Sequence, residues 1–97
     1  MENLRTEQLI DAIITGDQPQ VIALLGQKID PNATLDCASV TPLHFAAQNN
    51  RFNIAKLLIQ AGANIDAQTH PDGETPLDIA KIHEHSRMIS LLTADDS

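Results

Sequence analysis

A tetrapeptide that returns after 34 residues sets the strongest limit on what this chain can fold into. Thr41-Pro42-Leu43-His44 reappears as Thr75-Pro76-Leu77-Asp78. At the same offset Ala46 pairs with Ala80, Ile54 with Met88, Leu57 with Leu91 and Leu58 with Leu92, without a gap. Counting backward pairs Leu43 with Leu9, Ala46 with Ala12, Leu58 with Leu24, Ile59 with Leu25 and Ala67 with Ala33. The 97 residues make just under three such units. A repeat of this length is one supersecondary unit that cannot close a core alone, so the units must stack.

Within the middle unit the pattern predicts two short helices and a loop. Pro42 suits the first position of a helix and Thr41 its N-cap. Leu43, Ala46 and Ala47 then recur at helical spacing. Gln48-Asn49-Asn50 reads as a turn. A second apolar stripe runs through Phe52, Ile54, Ala55, Leu57, Leu58 and Ile59 and stops at Gly62. Pro71-Asp72-Gly73 is a turn signal, because Pro fixes φ and Gly permits φ > 0. Ala46 and Ala47 allow close approach of a neighbouring helix, while Leu57, Leu58 and Ile59 fill the space between units. The predicted fold is all-α: a single domain over 1–97, with units near 4–34, 35–68 and 69–93 and a short acidic tail at 94–97, which reads as a frayed cap.

Thr-Pro-Leu-His-Phe-Ala-Ala at 41–47, followed by Leu57-Leu58-Ile59-Gln60-Ala61-Gly62-Ala63-Asn64, resembles the ankyrin repeat. Asp72-Gly73-Glu74-Thr75-Pro76-Leu77-Asp78-Ile79-Ala80 is similar to the opening of a further repeat. The first unit lacks the Thr-Pro-Leu-His tract, but Gly16-Asp17, Val21, Leu24-Leu25 and Asp30-Pro31-Asn32-Ala33 look like the second half of an N-terminal cap. The resemblance implies a three-repeat ankyrin solenoid whose helix pairs are joined by β-hairpin-like loops. It also implies that His44 hydrogen-bonds between adjacent loops, a network altered where Asp78 takes that place. Three departures bear on local structure. Asn32 to Thr41 and Asp66 to Thr75 are each nine residues apart, one more than the family spacing, so both hairpins carry an extra residue. Lys28 stands where the next unit has Gly62, which predicts a less tightly turned helix end. Ser39 stands where the next hairpin has Gly73, which predicts an altered first hairpin.

Composition narrows the chemistry. There are two Phe and no Trp or Tyr, so aliphatic side chains and Ala must fill the core. Thirteen acidic against six basic residues give a net charge of −7, which disfavours nucleic acid and anionic membranes. The single Cys37 can form no intramolecular disulfide, and the N-terminus lacks a basic, apolar signal segment. No apolar run is long enough to span a membrane. Together these predict a cytoplasmic, soluble domain. No catalytic, metal or cofactor set assembles. His83 and His85 are two apart, would point to different faces of a helix, and straddle the turn between helices. Zinc pairs on helices sit at i, i+4. His70 lies about a dozen residues earlier. Cys37 has Asp36, Ala38 and Ser39 beside it, none of which lowers a thiol pKa. Asp36, Asp72, Glu74 and Asp78 fall on solvated loops rather than in a closed cleft. Gly16, Gly26, Gly62 and Gly73 are too dispersed for a phosphate loop. The chain therefore reads as a non-enzyme without a cofactor.

Carried over from the ankyrin family, the binding surface is made of hairpin tips and the exposed face of the first helices. Its candidates are Leu35, Cys37, Ala38 and Val40 on the first hairpin and Gln48 and Asn49 on the helix–turn. Thr69, Pro71, Asp72 and Glu74 follow on the second hairpin, and Ile82 and His83 on the last turn. An apolar first hairpin beside an acidic second one suits a protein partner with a hydrophobic anchor flanked by Lys or Arg, hence a basic surface. Two roles remain open: a protein–protein interaction module, or a dedicated inhibitor or immunity-type protein that masks a basic partner such as a nuclease or toxin. The apolar ends of a three-unit stack, with Leu91 and Leu92 near the C-terminus, leave monomer and weak homo-oligomer both open.

Overall fold

The computed structural model describes residues 2–34 and 39–93. Among these there are six helices and no strand: α1 Glu2–Thr15, α2 Gln18–Gly26, α3 Pro42–Gln48, α4 Phe52–Gln60, α5 Pro76–Ile82 and α6 Ser86–Thr93. Consecutive helices pair as α1/α2, α3/α4 and α5/α6, and the pairs stack side by side. The first helices α1, α3 and α5 form one layer and α2, α4 and α6 the other.

The repeat positions meet in the core. Leu9 and Leu43, Ala12, Ala46 and Ala80, Leu24, Leu58 and Leu92, and Ile54 and Met88 are all buried in one cluster. Ala46, Ala47, Ala55 and Ala80 are wholly inaccessible, which lets the first helices pack closely. Phe52 is held from two sides, with the Arg87 guanidinium 4.2 Å and the Lys56 ammonium 5.7 Å from its ring centroid. Since Arg87 belongs to α6, this contact joins the second and third units.

Local chemistry explains the helix starts. Thr41 and Thr75 are N-caps with Pro following, and each forms a capping box with the residue three places on. Asp17 caps α2 by accepting from the Gln20 N–H. Gln48, expected in the turn, is instead the last residue of α3, and the turn proper is Asn49-Asn50. α1 has 14 residues against seven in α3 and α5. Its additional turns occupy the positions that in the third unit belong to a loop.

Every described residue with positive φ falls on one of three repeat positions. Gly16, Asn50 and Glu84 turn between the helices of a pair; Lys28 and Gly62 close the second helices; Ser39 and Gly73 lead into the next capped helix. Lys28 has φ 65° and donates from its N–H to the Leu25 carbonyl at 3.1 Å, as Gly62 does to Ile59 at 3.0 Å. The second unit adds a bond from the Ala63 N–H to the Leu58 carbonyl at 2.9 Å that has no counterpart at Ile29, so the first helix end is the less tightly closed of the two. Ser39, at φ 59°, is left-handed as Gly73 is at 71°.

The second loop is closed by the Thr69 N–H on the Glu74 carbonyl (2.9 Å), the Gly73 N–H on the Thr69 carbonyl (2.7 Å) and the Glu74 N–H on Thr69 Oγ1 (3.0 Å). It is hairpin-like in path, without a β-ladder among the described residues. Most of the first loop's tip, residues 35–38, and the tail at 94–97 lie outside the described residues.

Side chains also stitch the units together at both ends of the helices. At the loop end, His44 Nε2 donates to the Glu74 carbonyl at 2.8 Å, and its Nδ1 accepts from the Thr41 N–H at 3.0 Å. This is the inter-loop bond that the family resemblance implied. Asn32 spans the first interface, accepting from the Asn64 N–H at 2.7 Å and donating to the Gly62 carbonyl at 3.2 Å. At the far end, Arg51 donates to the carbonyls of Ile13 (3.1 Å) and Ile14 (2.7 Å), placing a cation on the C-terminus of α1. One repeat later His85 Nε2 donates to the Gln48 carbonyl at 3.2 Å. Gly16 takes φ 79°, which strains any side chain, and a Cβ there would lie 2.9 Å from the Arg51 guanidinium, which would have to shift.

Burial pushes the His44 imidazole below its ordinary value of 6.5, outweighing the carbonyls of Glu74 and Ala67 and the Glu74 charge, which act the other way. The neutral ring also suits the geometry, since a proton on Nδ1 would face the Thr41 N–H. The unfolded chain therefore takes up this proton more readily than the folded one, so the stabilisation is present above the unfolded value and declines as pH falls below it. Urea titrations across roughly pH 7.5 to 5.5 should show a loss of stability in the wild type that is smaller in His44→Gln. His44→Ala should lose about 2–4 kcal/mol at neutral pH by stranding the Glu74 carbonyl and the Thr41 N–H. Gly16→Ala and Lys28→Gly should move stability in opposite directions. The first loses about 1–2 kcal/mol and the second gains about 0.5–1 kcal/mol, read from paired thermal melts.

Candidate protein-binding surface

The first helices lie side by side and end at equivalent repeat positions. Ile14, Gln48 and Ile82 therefore form a row across the stack, and Thr15, Asn49 and His83 form the next. Ile82 is 64% exposed and Ile14 40%, large apolar side chains left on a helix end rather than drawn into the core. Gln48 is exposed between them. The Asn49 side chain is half-buried and bonds back to the Phe45 carbonyl at 2.9 Å. His83 is exposed and stacks on His85, with ring centroids 5.6 Å apart and planes 12° from parallel. The two histidines thus face each other across the turn instead of pointing apart.

On the second loop Pro71 and Asp72 are exposed and Glu74 is half-buried. The half-buried Thr69 uses its hydroxyl to close the loop, so its side chain serves structure first. Val40 is half-buried on the approach to Thr41. Leu35, Cys37 and Ala38 lie outside the described residues.

The candidates fall into two groups at opposite ends of the first helices. The loop group sits where α3 and α5 begin, and the turn group where they end. Seven residues separate the ends of each helix, about 10 Å at 1.5 Å per residue. Between the groups runs the exposed stripe of the same helices, so one partner would have to lie along the stripe to touch both. Sequence reasoning passed over Ile14 and Thr15. Subtracting 34 from Gln48 and Asn49 finds them, but the missing Thr-Pro-Leu-His tract drew attention away from the first unit.

The buried His44 has both ring nitrogens engaged and is not free for chemistry. Among the described residues no group of three His, Cys, Asp or Glu is placed to hold a metal ion. A cleft of about 410 Å³ between α1 and the segment after α2 is lined by Arg5, Thr6, Lys28, Ile29, Asp30, Ala33 and Thr34. Leu92 is buried in the core and Leu91 is half-buried against it. Asp78 replaces His44, Lys81 replaces Ala47 and Thr93 replaces Ile59, which gives the third unit polar exposed positions. No described helix is long and apolar enough to cross a membrane.

Helix pairs repeated at a fixed interval, stacked in two layers and stitched by equivalent side chains, define an α-solenoid repeat protein. Residues 9–97 match the family model described as ankyrin repeats (3 copies). The chain belongs to the ankyrin-repeat family. The potassium channel GORK of Arabidopsis thaliana is 34% identical over 84 residues, covering 87% of this chain and 10% of that protein. The potassium channel KOR1 of Oryza sativa is 39% identical over 89 residues, again 10% of that protein. Human ankyrin repeat domain-containing protein 39 is 37% identical over 59 residues, 61% of this chain and 32% of that one. This chain thus spans a third or less of each of these relatives. Ankyrin repeats are in general protein–protein interaction modules.

Substitution of exposed Ile14 and Ile82 by Lys should leave the fold intact. Each variant should stay within about 0.5 kcal/mol of the wild type in urea unfolding, because both sites are surface positions and a cation favours a helix C-terminus.

Proposed function

We propose that this chain is a non-catalytic binding module that engages a basic protein partner through the exposed stripe of α1, α3 and α5 together with the loop at Thr69–Glu74. The observation that carries the reading is the row of Ile14, Gln48 and Ile82, where two of three equivalent positions expose large apolar side chains. Exposed apolar groups with a polar rim mark interaction sites. Asp72, Glu74 and Asp78 lie at the loop end of the same surface, and the net charge of −7 favours a partner of opposite sign.

That charge also supports a second reading, a dedicated inhibitor or immunity-type protein covering a basic active site such as that of a nuclease or toxin. The two readings differ in partner number and kinetics. An inhibitor associates with one basic protein at a rate that falls steeply with salt, whereas an adaptor engages several partners weakly.

Capture on the immobilised protein, with mass spectrometry of what is retained, supplies partners for the test. Asp72→Lys combined with Glu74→Lys should slow association with a retained basic protein at least about tenfold at low salt, with little change in dissociation. A partner that binds the double variant at the wild-type rate, or one whose binding ignores Ile14→Lys and Ile82→Lys, would contradict the surface assigned here.

A further inference from the structure

The shape of the exposed stripe bears on what kind of segment it takes, an inference that rests on the protein-binding reading above. One helical turn before Ile14, Gln48 and Ile82 lie Asp11, Phe45 and Ile79. Phe45 and Ile79 are half-buried and packed on the core, and Asp11 is exposed. Packed helices sit about 8–10 Å apart, so the strip from α1 to α5 is about 16–20 Å long. Its two rows are one turn, about 5 Å, apart.

Those dimensions separate two kinds of occupant. An extended segment is about 5 Å across in its hydrogen-bonding plane and would cover one row. An α-helix about 10 Å in diameter covers both. Along such a helix, apolar side chains eleven to fourteen residues apart lie about 16–21 Å apart on nearly the same face, and so reach Ile14 and Ile82 together.

Charge gives the occupant an orientation and a sign. The edge of the strip nearest the loops carries the exposed acids Glu7, Asp72 and Asp78 against the exposed base Arg5, while Asp11 lies in the row of Phe45 and Ile79 and Lys81 beside Ile82. The opposite edge, at Thr15, Asn49 and His83, has the exposed acids Asp17 and Glu84 in its turns, with Arg51 beside them, and so carries the smaller surplus of acid. A second copy of this chain would bring its own charge of −7 to an acidic rim and be repelled.

We propose that the stripe receives one amphipathic α-helix of a partner protein. Its apolar face lies over Ile14, Phe45, Ile79 and Ile82, and its Lys and Arg residues run along the edge facing the loops.

The test uses a displayed library of random linear peptides of about 18 residues, long enough as a helix to cross the strip. Selection on the intact protein should enrich peptides with apolar residues on one helical face and Lys or Arg on the adjoining face. Those peptides should gain helical circular dichroism on binding, and should bind the Ile14→Lys/Ile82→Lys variant at least about tenfold more weakly. Enriched peptides that bind without gaining helix would overturn the helical occupant while leaving the stripe as the binding site. Enriched peptides that bind the double variant as tightly as the wild type would overturn both. Failure to enrich any peptide would overturn the helical proposal, since a strip built for one linear helix must select one; the wider reading would then stand on the capture experiment.

Discussion

Ala46 and Ala47 on α3 and Ala80 on α5 are fully buried where the first helices pack against one another and against their paired second helices. Much else depends on that contact. A helix of seven residues is too short to persist alone in water, so α3 and α5 owe their stability to docking. Small side chains permit the close approach, and the large ones, Leu43, Leu58 and Met88, fill the volume beside it. A core assembled this way has little use for aromatic rings. The one ring outside the exposed stripe, Phe52, is clamped by cations from two units.

Close packing also determines where polar groups can go. Helix ends brought together in register leave carbonyls at the same height in every unit, and the chain places a donor opposite them. Arg51 serves the end of α1 and His85 the end of α3; Asn32 and His44 serve the loop side. Every buried side-chain nitrogen and oxygen among the described residues has a partner. On the loop side of the third unit, Asp78 takes the place of His44. Asp78 bonds to the Thr75 N–H and completes its own capping box, with no reach beyond it.

Much of this was legible without coordinates, for one physical reason. A repeat makes every core position visible twice or three times, so Leu9, Leu43, Ala46 and Leu58 could be recognised from the spacing alone. The family tract and its His44 contact were legible too. That Lys28 and Ser39 take a left-handed φ was not, because single-residue preference favours Gly at such a position. The surface was only half legible. Gln48 and Ile82 followed from the tract, whereas Ile14 required treating a degenerate first unit as the structural equal of the others. Asn49 and Thr69 looked free as letters and are occupied as side chains.

The amino-acid sequence by itself determined the number of units, the helix starts at Thr41 and Thr75, the apolar stripes and the surplus of negative charge. These depend on local chemistry and on periodicity, both of which a chain carries in its order of residues. Only the tertiary structure decided that Asn32, Arg51 and His85 cross between units, that Arg51 lies against Gly16, and which apolar residues remain outside the core. Those outcomes depend on distances between residues some thirty to forty positions apart, and such distances exist only once the units are stacked.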